Sequence, residues 1–415
     1  MGTTTLNSNS HTVQRPAIKL FAGLDIWLIV IGLILVVYGL VVLYSASMPV
    51  AFYAEEPTTP MYYAARQAQW AALGIAAAFI VSLINYPGLK KLVLPALFLI
   101  WGALILVIII GSSRHGSVRH FLNGSIQPSE ILKVIYILYL AFWLKSKQED
   151  LKRITIWILP AGVILGFTCF LLFLEPDLSA MITIGLISFV LYFLADVDWK
   201  QIIFIFVVAV LSVILLIQFS DTGLDRWEKY RSGVEAPENS INQVKRAIES
   251  IVDGGFFGVG IGQGVVKFTG LEVGQSDTIF TVIAEELGLL GCFVTIGLFL
   301  LLLWRGLKIA LASEDMTGRL IAAGMSIWIV MEAFINIAGL FNMMPVGGNT
   351  LPFFSLGGSS LVSVLVGIGF ILNVARNNQK QKSSERNTYS AVVDMRWRDR
   401  RRSISGARRP TTARR

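Results

Sequence analysis

Residues 24–44 read LDIWLIVIGLILVVYGLVVLY, a run in which Asp25 carries the only charge. Roughly 20 apolar residues are what an α-helix needs to cross the hydrocarbon of a bilayer, at about 1.5 Å per residue. Similar runs recur along the chain of 415 residues, which is 54% hydrophobic and has a mean hydropathy of +0.66. A soluble protein could not bury so many apolar segments, and the sequence therefore predicts an integral membrane protein.

The spacing of these runs predicts an all-α integral membrane protein with about ten transmembrane helices. The predicted spans are residues 24–44, 67–85, 92–111, 128–144, 155–174, 178–195, 201–219, 278–304, 317–342 and 355–375. An even number of spans places both termini on the same side of the membrane. The membrane domain is thus residues 24–375, and its one large loop, residues 220–277, lies between spans seven and eight.

The distribution of Lys and Arg sets the orientation of these spans. Most of the 35 basic residues fall in the two tails and in the loops on the same side, whereas the short loops on the other side hold only Arg66, Arg114 and Arg119. Basic residues accumulate on the cytoplasmic side of membrane proteins. We therefore expect cytoplasmic termini, with residues 1–23 as a cytoplasmic N-terminal tail, and an extracytoplasmic loop at 220–277.

The net charge of +8 originates in the C-terminal tail, residues 376–415. This segment is rich in Arg, contains Ser, Thr and Pro, and lacks periodic apolar residues, so it is predicted to be a disordered basic cytoplasmic tail. An anionic membrane leaflet attracts such a tail by about 1 kcal/mol per charge. Contact with the membrane surface or a protein partner is expected, and nucleic-acid binding is not.

Asp277 separates the polar, Gly-rich loop from the apolar run that begins at Thr278. Its carboxylate is therefore expected where the membrane ends and water begins. From there it could act as an acid or base on a substrate whose tail lies in lipid and whose head group does not. The structural alternative is that Asp277 caps the N-terminus of span eight, since Asp is a preferred N-cap residue.

Further charged residues are predicted at the same level of the membrane. Glu130 and Lys133 lie three residues apart on one helical face, either as an ion pair that lets both enter the bilayer or as part of a polar cavity that orders a pyrophosphate. Glu285 lies on span eight below Asp277 by helical rise.

Residues 345–360 are too rich in Gly and Pro for a plain helix, so their backbone is expected to face a cavity. The Gly-rich residues 258–264 are interpreted as a mobile loop.

Six segments of the chain together resemble the SEDS (RodA/FtsW) family of cell-wall polymerases. They are Tyr44-Ser45-Ala46-Ser47, Asn123-Gly124-Ser125-Ile126-Gln127-Pro128-Ser129-Glu130-x-x-Lys133, Pro176-Asp177-Leu178, Gly254-Gly255-x-x-Gly258-x-Gly260-x-Gly262, Ser276-Asp277-x-Ile279-Phe280-x-x-Ile283-x-Glu285-Glu286-Leu287-Gly288 and Leu351-Pro352-Phe353-x-Ser355-x-Gly357-Gly358-Ser359-Ser360. The resemblance runs from about residue 24 to residue 375, in order and at family spacing. Departures from the family pattern occur at His120, Glu175, Thr278, Gly348, Asn349 and Leu356.

The resemblance implies a peptidoglycan glycosyltransferase of the inner (cytoplasmic) membrane that polymerises lipid II. It implies a class B penicillin-binding protein as partner, together with other divisome or elongasome membrane proteins, and slightly favours the FtsW-like division branch over the RodA-like elongation branch. Asp277 corresponds to the catalytic acid and is expected to be the general base. Binding of the diphosphate, or lining of the cavity, is expected of Lys133, Glu130, Arg119, Arg66, Glu285 and Ser359. A divalent cation, Mg²⁺ or Mn²⁺, is a further expectation.

Two other functions remain open at this stage. A lipid II flippase would use the same cavity without chemistry. A non-catalytic membrane scaffold of the division machinery would act through its cytoplasmic tail and would not need the extracytoplasmic acids.

Overall fold

The computed structural model is almost entirely helical, as the apolar runs predict. It describes residues 23–52, 59–110, 112–114, 117–120, 127–148, 154–175, 177–200, 203, 206–207, 218, 221–236, 240–269, 276–345 and 348–405. The α-helices within these ranges are α1 (Ile26–Ala46), α2 (Met48–Phe52), α3 (Pro60–Leu83), α4 (Lys90–Ile110), α5 (Pro128–Ser146), α6 (Ile154–Leu174), α7 (Leu178–Leu194), α8 (Asp221–Glu235), α9 (Asn242–Gly254), α10 (Ile279–Glu286), α11 (Gly288–Leu311), α12 (Met316–Leu340) and α13 (Gly358–Ser405). Short 3₁₀ turns occupy Tyr86–Leu89 and Val266–Phe268. The exception to the all-α prediction is an antiparallel hairpin of β1 (Ser112–Arg114) and β2 (Ser117–His120).

The helices agree with a multi-pass membrane protein. Among the described residues, five helical segments are long and apolar enough to cross a membrane: Ile26–Ala46, Tyr86–Ile109, Gly288–Leu311, Met316–Leu340 and Gly358–Ser383. The apolar parts of α6 and α7 are shorter. Nine of the ten predicted spans overlap a helix, and the predicted span 201–219 lies largely outside the described residues.

The predicted span 278–304 is not one continuous helix but is divided into α10 and α11. The division occurs at Gly288, whose φ is +65°, a value that a residue with a side chain rarely adopts. The backbone N–H groups of Leu289 and Leu290, at the start of α11, donate to the carbonyls of Gly255 and Phe256 at 3.0 and 3.1 Å. The start of α11 is therefore bonded to the residues that directly follow α9.

The Gly-rich residues 258–264, interpreted above as mobile, pack tightly against α10. Gly258, Gly260 and Gly262 all have positive φ, and the N–H groups of Val259 and Gly260 each donate to a carbonyl at the end of α10, those of Glu285 and Glu286, at 3.0 Å. A Cβ on Gly258 would overlap the backbone of Glu286. Glycine is needed here because the two backbones touch, and the prediction of mobility is wrong for this segment.

Polar contacts gather at the two opposite ends of the helices. At one end, the side chain of Gln127 donates to Asp177 at 3.1 Å, which joins the starts of α5 and α7. At the other end, Arg305 on α11 forms a two-point ion pair with Asp25 at the start of α1, with distances of 2.9 and 2.6 Å. The Tyr86 hydroxyl donates to the carboxylate of Asp315, before α12, at 2.9 Å. The starts of α5 and α7 thus lie in one polar layer, and the start of α1, the end of α11 and the start of α12 carry the polar contacts of the other.

The C-terminal tail differs from its prediction, because α13 continues to Ser405 rather than ending near residue 375. The sequence explains the difference, since no Gly or Pro occurs between Gly369 and Gly406, and Arg, Lys, Gln and Ala favour helix. Residues 406–415 of the predicted disordered tail, and residues 1–22, lie outside the described residues.

Candidate active site

The site is built around residues 348–357, where the chain between α12 and α13 is not helical, as its Gly and Pro content predicts. Gln67 on α3 binds this segment twice: its amide donates to the Ser355 carbonyl at 3.0 Å and accepts from the Gly357 N–H at 3.3 Å. Phe353 has a φ of +71°, which is unusual for a large side chain, and its carbonyl packs against Gly39 on α1. The irregular backbone is thus supported on two sides by helices.

Asp277 lies beside this segment, half-buried, just before α10. The Asn336 amide on α12 donates to the backbone carbonyls of Asp277 and Asn349 at 2.8 and 2.6 Å, and the Ser355 hydroxyl donates to the Ser276 carbonyl at 2.5 Å. The N-cap position of α10 is occupied by Thr278, not by Asp277. The backbone that carries the Asp277 carboxylate is therefore positioned by α12 and by the irregular segment.

Asp277 also borders a small recess of about 250 Å³, measured with its open mouth. The recess is lined by Gln243, Asp277, Ile335, Asn336, Gly339, Leu340, Gly348 and Asn349. It combines one carboxylate with three side-chain amides on one side and apolar groups of α12 on the other. Ligand pockets commonly have this composition.

Glu130 and Lys133 form the predicted ion pair, and the structure adds a third member, Glu332 on α12. The Lys133 ammonium lies 2.8 Å from Glu130 Oε1 and also donates to Glu332 Oε1. All three side chains are buried, and the ammonium stands 5.6 Å from the ring centre of Trp328. With two carboxylates and one ammonium the cluster has a formal charge of −1, and Lys133 serves as a link between α5 and α12.

The cluster and the recess are joined along one helix. Glu332 and Asn336 are four residues apart on the same face of α12, about 6 Å along its axis. The polar groups therefore continue from Asp277 at the mouth of the recess, through Asn336, to the buried Lys133 cluster. Glu332 and Asn336 fall on one helical face by spacing, but their partners come from distant segments and cannot be read from that spacing.

Ser359 and Glu285, two other predicted site residues, bind backbone groups of the protein. The Ser359 hydroxyl accepts from the Gln127 N–H at 3.1 Å, next to the start of α5. Glu285 is buried on α10 and accepts from the N–H groups of Val265 and Val266 at 2.6 and 3.1 Å, away from the residues that line the recess. Both side chains organise the segments that surround the site.

A second buried ion pair lies close by and was not predicted. The Lys267 ammonium, in the segment between α9 and α10, contacts Glu286 Oε1 at 2.6 Å and the Ser45 hydroxyl at the end of α1 at 2.9 Å. The Ser45 hydroxyl also donates to Glu286 at 2.6 Å. The adjacent acids Glu285 and Glu286 were a signal for such a contact, but the sequence does not indicate which acid meets Lys267.

Of the two predicted arginines, the structure describes the side chain of only Arg66. Arg66 is exposed on α3, next to Gln67, and Arg119 lies on β2, with a side chain outside the described part of the structure. Within the described residues, no group of three His, Cys, Asp or Glu side chains could hold a metal ion.

Comparison with known proteins identifies the family of the chain. A family model described as "Cell cycle protein", which represents FtsW, RodA and SpoVE, matches residues 25–380. The chain belongs to this FtsW/RodA/SpoVE family. It is 34% identical to stage V sporulation protein E of Bacillus subtilis over 360 residues, covering 85% of this chain and 97% of the relative. It is 33% identical to the probable peptidoglycan glycosyltransferase FtsW of Trichlorobacter lovleyi, covering 85% and 93%.

Solved structures of family members share the fold. The crystal structure of Thermus thermophilus rod shape determining protein RodA superimposes with a TM-score of 0.63 at 27% identity, covering 86% of this chain and 98% of RodA. A chain of a peptidoglycan synthase complex, described for its structural coordination of polymerization and crosslinking, gives a TM-score of 0.69 at 25% identity, covering 86% and 99%. The predicted membership of the SEDS family is confirmed, and FtsW proteins are prominent among the relatives.

Proposed function

We propose that this chain is a peptidoglycan glycosyltransferase that polymerises lipid II at the outer face of the cytoplasmic membrane. Relatives named probable peptidoglycan glycosyltransferase FtsW support the activity, and the match to them covers most of their length and most of this chain. The observation that carries the proposal is the position of Asp277: a half-buried carboxylate beside a polar recess, at one end of the apolar helices. A head group bound there can keep its lipid tail in the membrane.

The proposed topology has ten spans, cytoplasmic termini and residues 220–277 outside. The asymmetry of Lys and Arg supports this orientation. The two polar layers also support it, because Asp277 and the starts of α5, α7 and α13 lie at the end opposite to the Arg305–Asp25 pair. A cysteine introduced at Ser232 on α8 should react with a membrane-impermeant reagent from outside the cell, and labelling only from the cytoplasm would contradict the topology.

In the proposed reaction the 4-hydroxyl of one sugar attacks the anomeric carbon of another, which carries a lipid diphosphate as leaving group. Asp277 removes the hydroxyl proton as the new bond forms. A transfer that inverts the anomeric configuration in this way requires one carboxylate and no covalent intermediate. Cationic side chains stabilise the departing diphosphate. We assign this role to Arg66 and Arg119, two of the basic residues predicted for it. Lys133 contacts Glu130 and Glu332 within the protein.

The partner in this proposal is a class B penicillin-binding protein, which crosslinks the strands that the glycosyltransferase makes. The similarity to a chain from a complex that coordinates polymerization and crosslinking supports this pairing. Co-purification of the full chain with its cognate penicillin-binding protein is the direct test, and the same complex serves for the activity assay.

Asp277→Asn separates this proposal from its alternatives. The substitution keeps the size of the side chain, and the backbone contacts of Asp277 and Ser276 remain available, so membrane insertion, folding and partner binding should be unchanged. Loss of a general base should lower polymer formation from lipid II by a factor of about 100 or more. Asp315→Asn, at the opposite polar layer, is a control for general effects of removing a carboxylate.

Glycan chains formed at nearly the wild-type rate by the purified Asp277→Asn complex would show that Asp277 is not the base. Transport of lipid II by a wild-type protein that forms no polymer would instead favour the flippase. Absence of both activities, with intact assembly of the division proteins, would favour the scaffold.

A further inference from the structure

Residues 248–268, from the second half of α9 to the 3₁₀ turn before α10, carry many exposed apolar side chains. Eight large ones have between 39% and 77% of their surface exposed: Ile248, Val252, Phe256, Phe257, Val259, Ile261, Val265 and Phe268. We call this set the apolar loop surface. From Gly254 to Phe268 the only charged residue is Lys267, and its side chain is buried. An exposed apolar surface of this extent marks a contact with another molecule or with a membrane.

Helix α9 divides its residues among three faces by their spacing. One face packs on the protein and holds the buried residues Val244, Ala247, Ser250 and Gly254. The second is polar: Arg246 and Glu249 form an ion pair there at 2.7 Å, and Asp253 is exposed. The third holds Ile248 and Val252, which are four residues apart and both exposed. A helix on a protein surface in water needs only the first apolar face, so the third indicates a helix at a membrane boundary.

The apolar loop surface continues the exposed side of α11. This helix is long and apolar enough to cross a membrane, and Leu290, Phe293 and Val294 in its first two turns are exposed. The Leu290 N–H donates to the Phe256 carbonyl at 3.1 Å, so Phe256 lies level with the first turn of α11. The two exposed apolar surfaces therefore meet at this bond, at the end of α10 that is farther from Asp277.

The backbone of the segment has its polar groups bonded inside the protein. Non-helical backbone is tolerated at membrane depth only where such bonds satisfy it. N–H groups that donate to protein oxygens are those of Gly258, Val259, Gly260, Gln263, Val265, Val266 and Phe268. Two of them bond the buried carboxylate of Glu285. Lys267 likewise points inward, to Glu286, so the segment turns its apolar groups outward and its charge inward, the reverse of a loop in water.

From these observations we infer that residues 248–268 insert into the membrane without crossing it, and that the apolar loop surface contacts the acyl chains of the leaflet on the Asp277 side. Lipid fits this surface because it shows no exposed charge from Gly254 to Phe268 and runs into the exposed side of α11. The N–H groups of Val259 and Gly260 bond the last two residues of α10. The membrane contact thus holds α10, and Asp277 before it, at a fixed depth, whichever reaction the site performs.

The test places one spin label at a time on the full chain in lipid nanodiscs, with Cys169 and Cys292 replaced by Ala. Each label is probed by collisions with oxygen, which concentrates in hydrocarbon, and with a water-soluble nickel chelate, which stays in water. Labels at Val252→Cys and Phe257→Cys should collide often with oxygen and rarely with nickel. Asp253→Cys is the matched control, because it adjoins Val252 but lies on the polar face of α9, and its label should show several-fold more collisions with nickel.

Val252 and Phe257 are 74% and 77% exposed, so neither substitution removes a packed side chain. Ile261→Cys, at a position that is 56% exposed, replaces either variant that fails to fold. Nickel collisions as frequent as at Asp253→Cys would place the surface in water and overturn the inference. Few collisions with both reagents would also overturn it, because such a label is covered by protein, for example by a second copy of the chain. Neither readout depends on polymerisation of lipid II, so this inference and the proposed function can fail independently.

Discussion

Replacing Lys133 by Met tests how the buried cluster of Glu130, Lys133 and Glu332 contributes to the protein. The ammonium lies 2.8 Å from Glu130 Oε1 and also donates to Glu332. At an effective dielectric constant of about 20, a pair of charges at this distance attracts by about 6 kcal/mol before desolvation is subtracted. Breaking a buried ion pair by removing one partner has a net cost of about 3–5 kcal/mol, because the remaining charge stays buried. We expect Lys133→Met to lower the free energy of unfolding by this amount.

The structure also determines which compensating variant is informative. A double change of Lys133→Met and Glu130→Gln would neutralise a pair predicted from sequence alone, but it leaves Glu332 buried without its cation. The triple variant, which adds Glu332→Gln, removes every charge of the cluster at nearly constant volume. Replacing a buried ionic group by neutral groups of similar size is often neutral for stability. We therefore expect the triple variant to regain most of the stability that Lys133→Met loses, and the double variant to regain less.

The protein contains its own reporters of unfolding. Cys169 and Cys292 lie in α6 and α11, one partly and one fully buried, and both thiols should react with a thiol-specific dye when the helices separate on heating. Lys229→Met is the control, because its ion pair with Asp225 is about half exposed and should contribute less than about 1 kcal/mol. Equal dye-monitored stability of Lys133→Met and Lys229→Met would refute the reasoning. If the triple variant is stable but inactive in polymerisation, the cluster also has a functional role.

Three further outcomes are expected. Gly258→Ala should destabilise the protein by more than the ~1–2 kcal/mol of an unfavourable φ, because the new Cβ would meet the Glu286 backbone. Gly255→Ala is the control: Gly255 also has a positive φ, but its new Cβ would meet no atom, so only the cost of the unfavourable φ is expected. Equal unfolding temperatures of the two variants would contradict this prediction. Lys267→Met should lower both stability and polymerisation, and adding Glu286→Gln should restore stability; no rescue in the dye assay would contradict the buried pair. Chelation by EDTA should stop polymerisation and Mg²⁺ or Mn²⁺ should restore it, whereas unchanged activity in EDTA would exclude the predicted divalent cation.

Much of the helical framework could be predicted from hydrophobicity alone. The predicted apolar runs coincide with helices, and the overlapping helices begin or end within a few residues of most predicted limits. The break at Gly288 could not be predicted in this way, because the apolar run continues through Leu287 and hydrophobicity carries no information on the sign of φ. Helix α8 was also missed, since its surface-exposed residues show no apolar period of the kind that marks a span.

The candidate site was predictable where it depends on local pattern and not where it depends on distant pairing. Asp277 could be identified from its position between the polar loop and an apolar run, and the Glu130–Lys133 pair from a spacing of three. The third member, Glu332, lies 199 residues from Lys133 in the chain, and the contact arises because α5 packs against α12. The Lys267–Glu286 pair likewise requires the loop to fold back onto α10, which no pattern in the loop specifies.

The position of Asp277 therefore depends mainly on residues outside α10, the helix that follows it. The carbonyl of Ser276 is held by the hydroxyl of Ser355, and the carbonyl of Asp277 is held by the amide of Asn336. These donors come from the irregular segment and from α12, and the same segment is bound by Gln67 on α3. Contacts that fix the backbone of Asp277 supply the preorganisation that its proposed role as general base requires. The Gly- and Pro-rich chain between α12 and α13 thus serves as the support of the site.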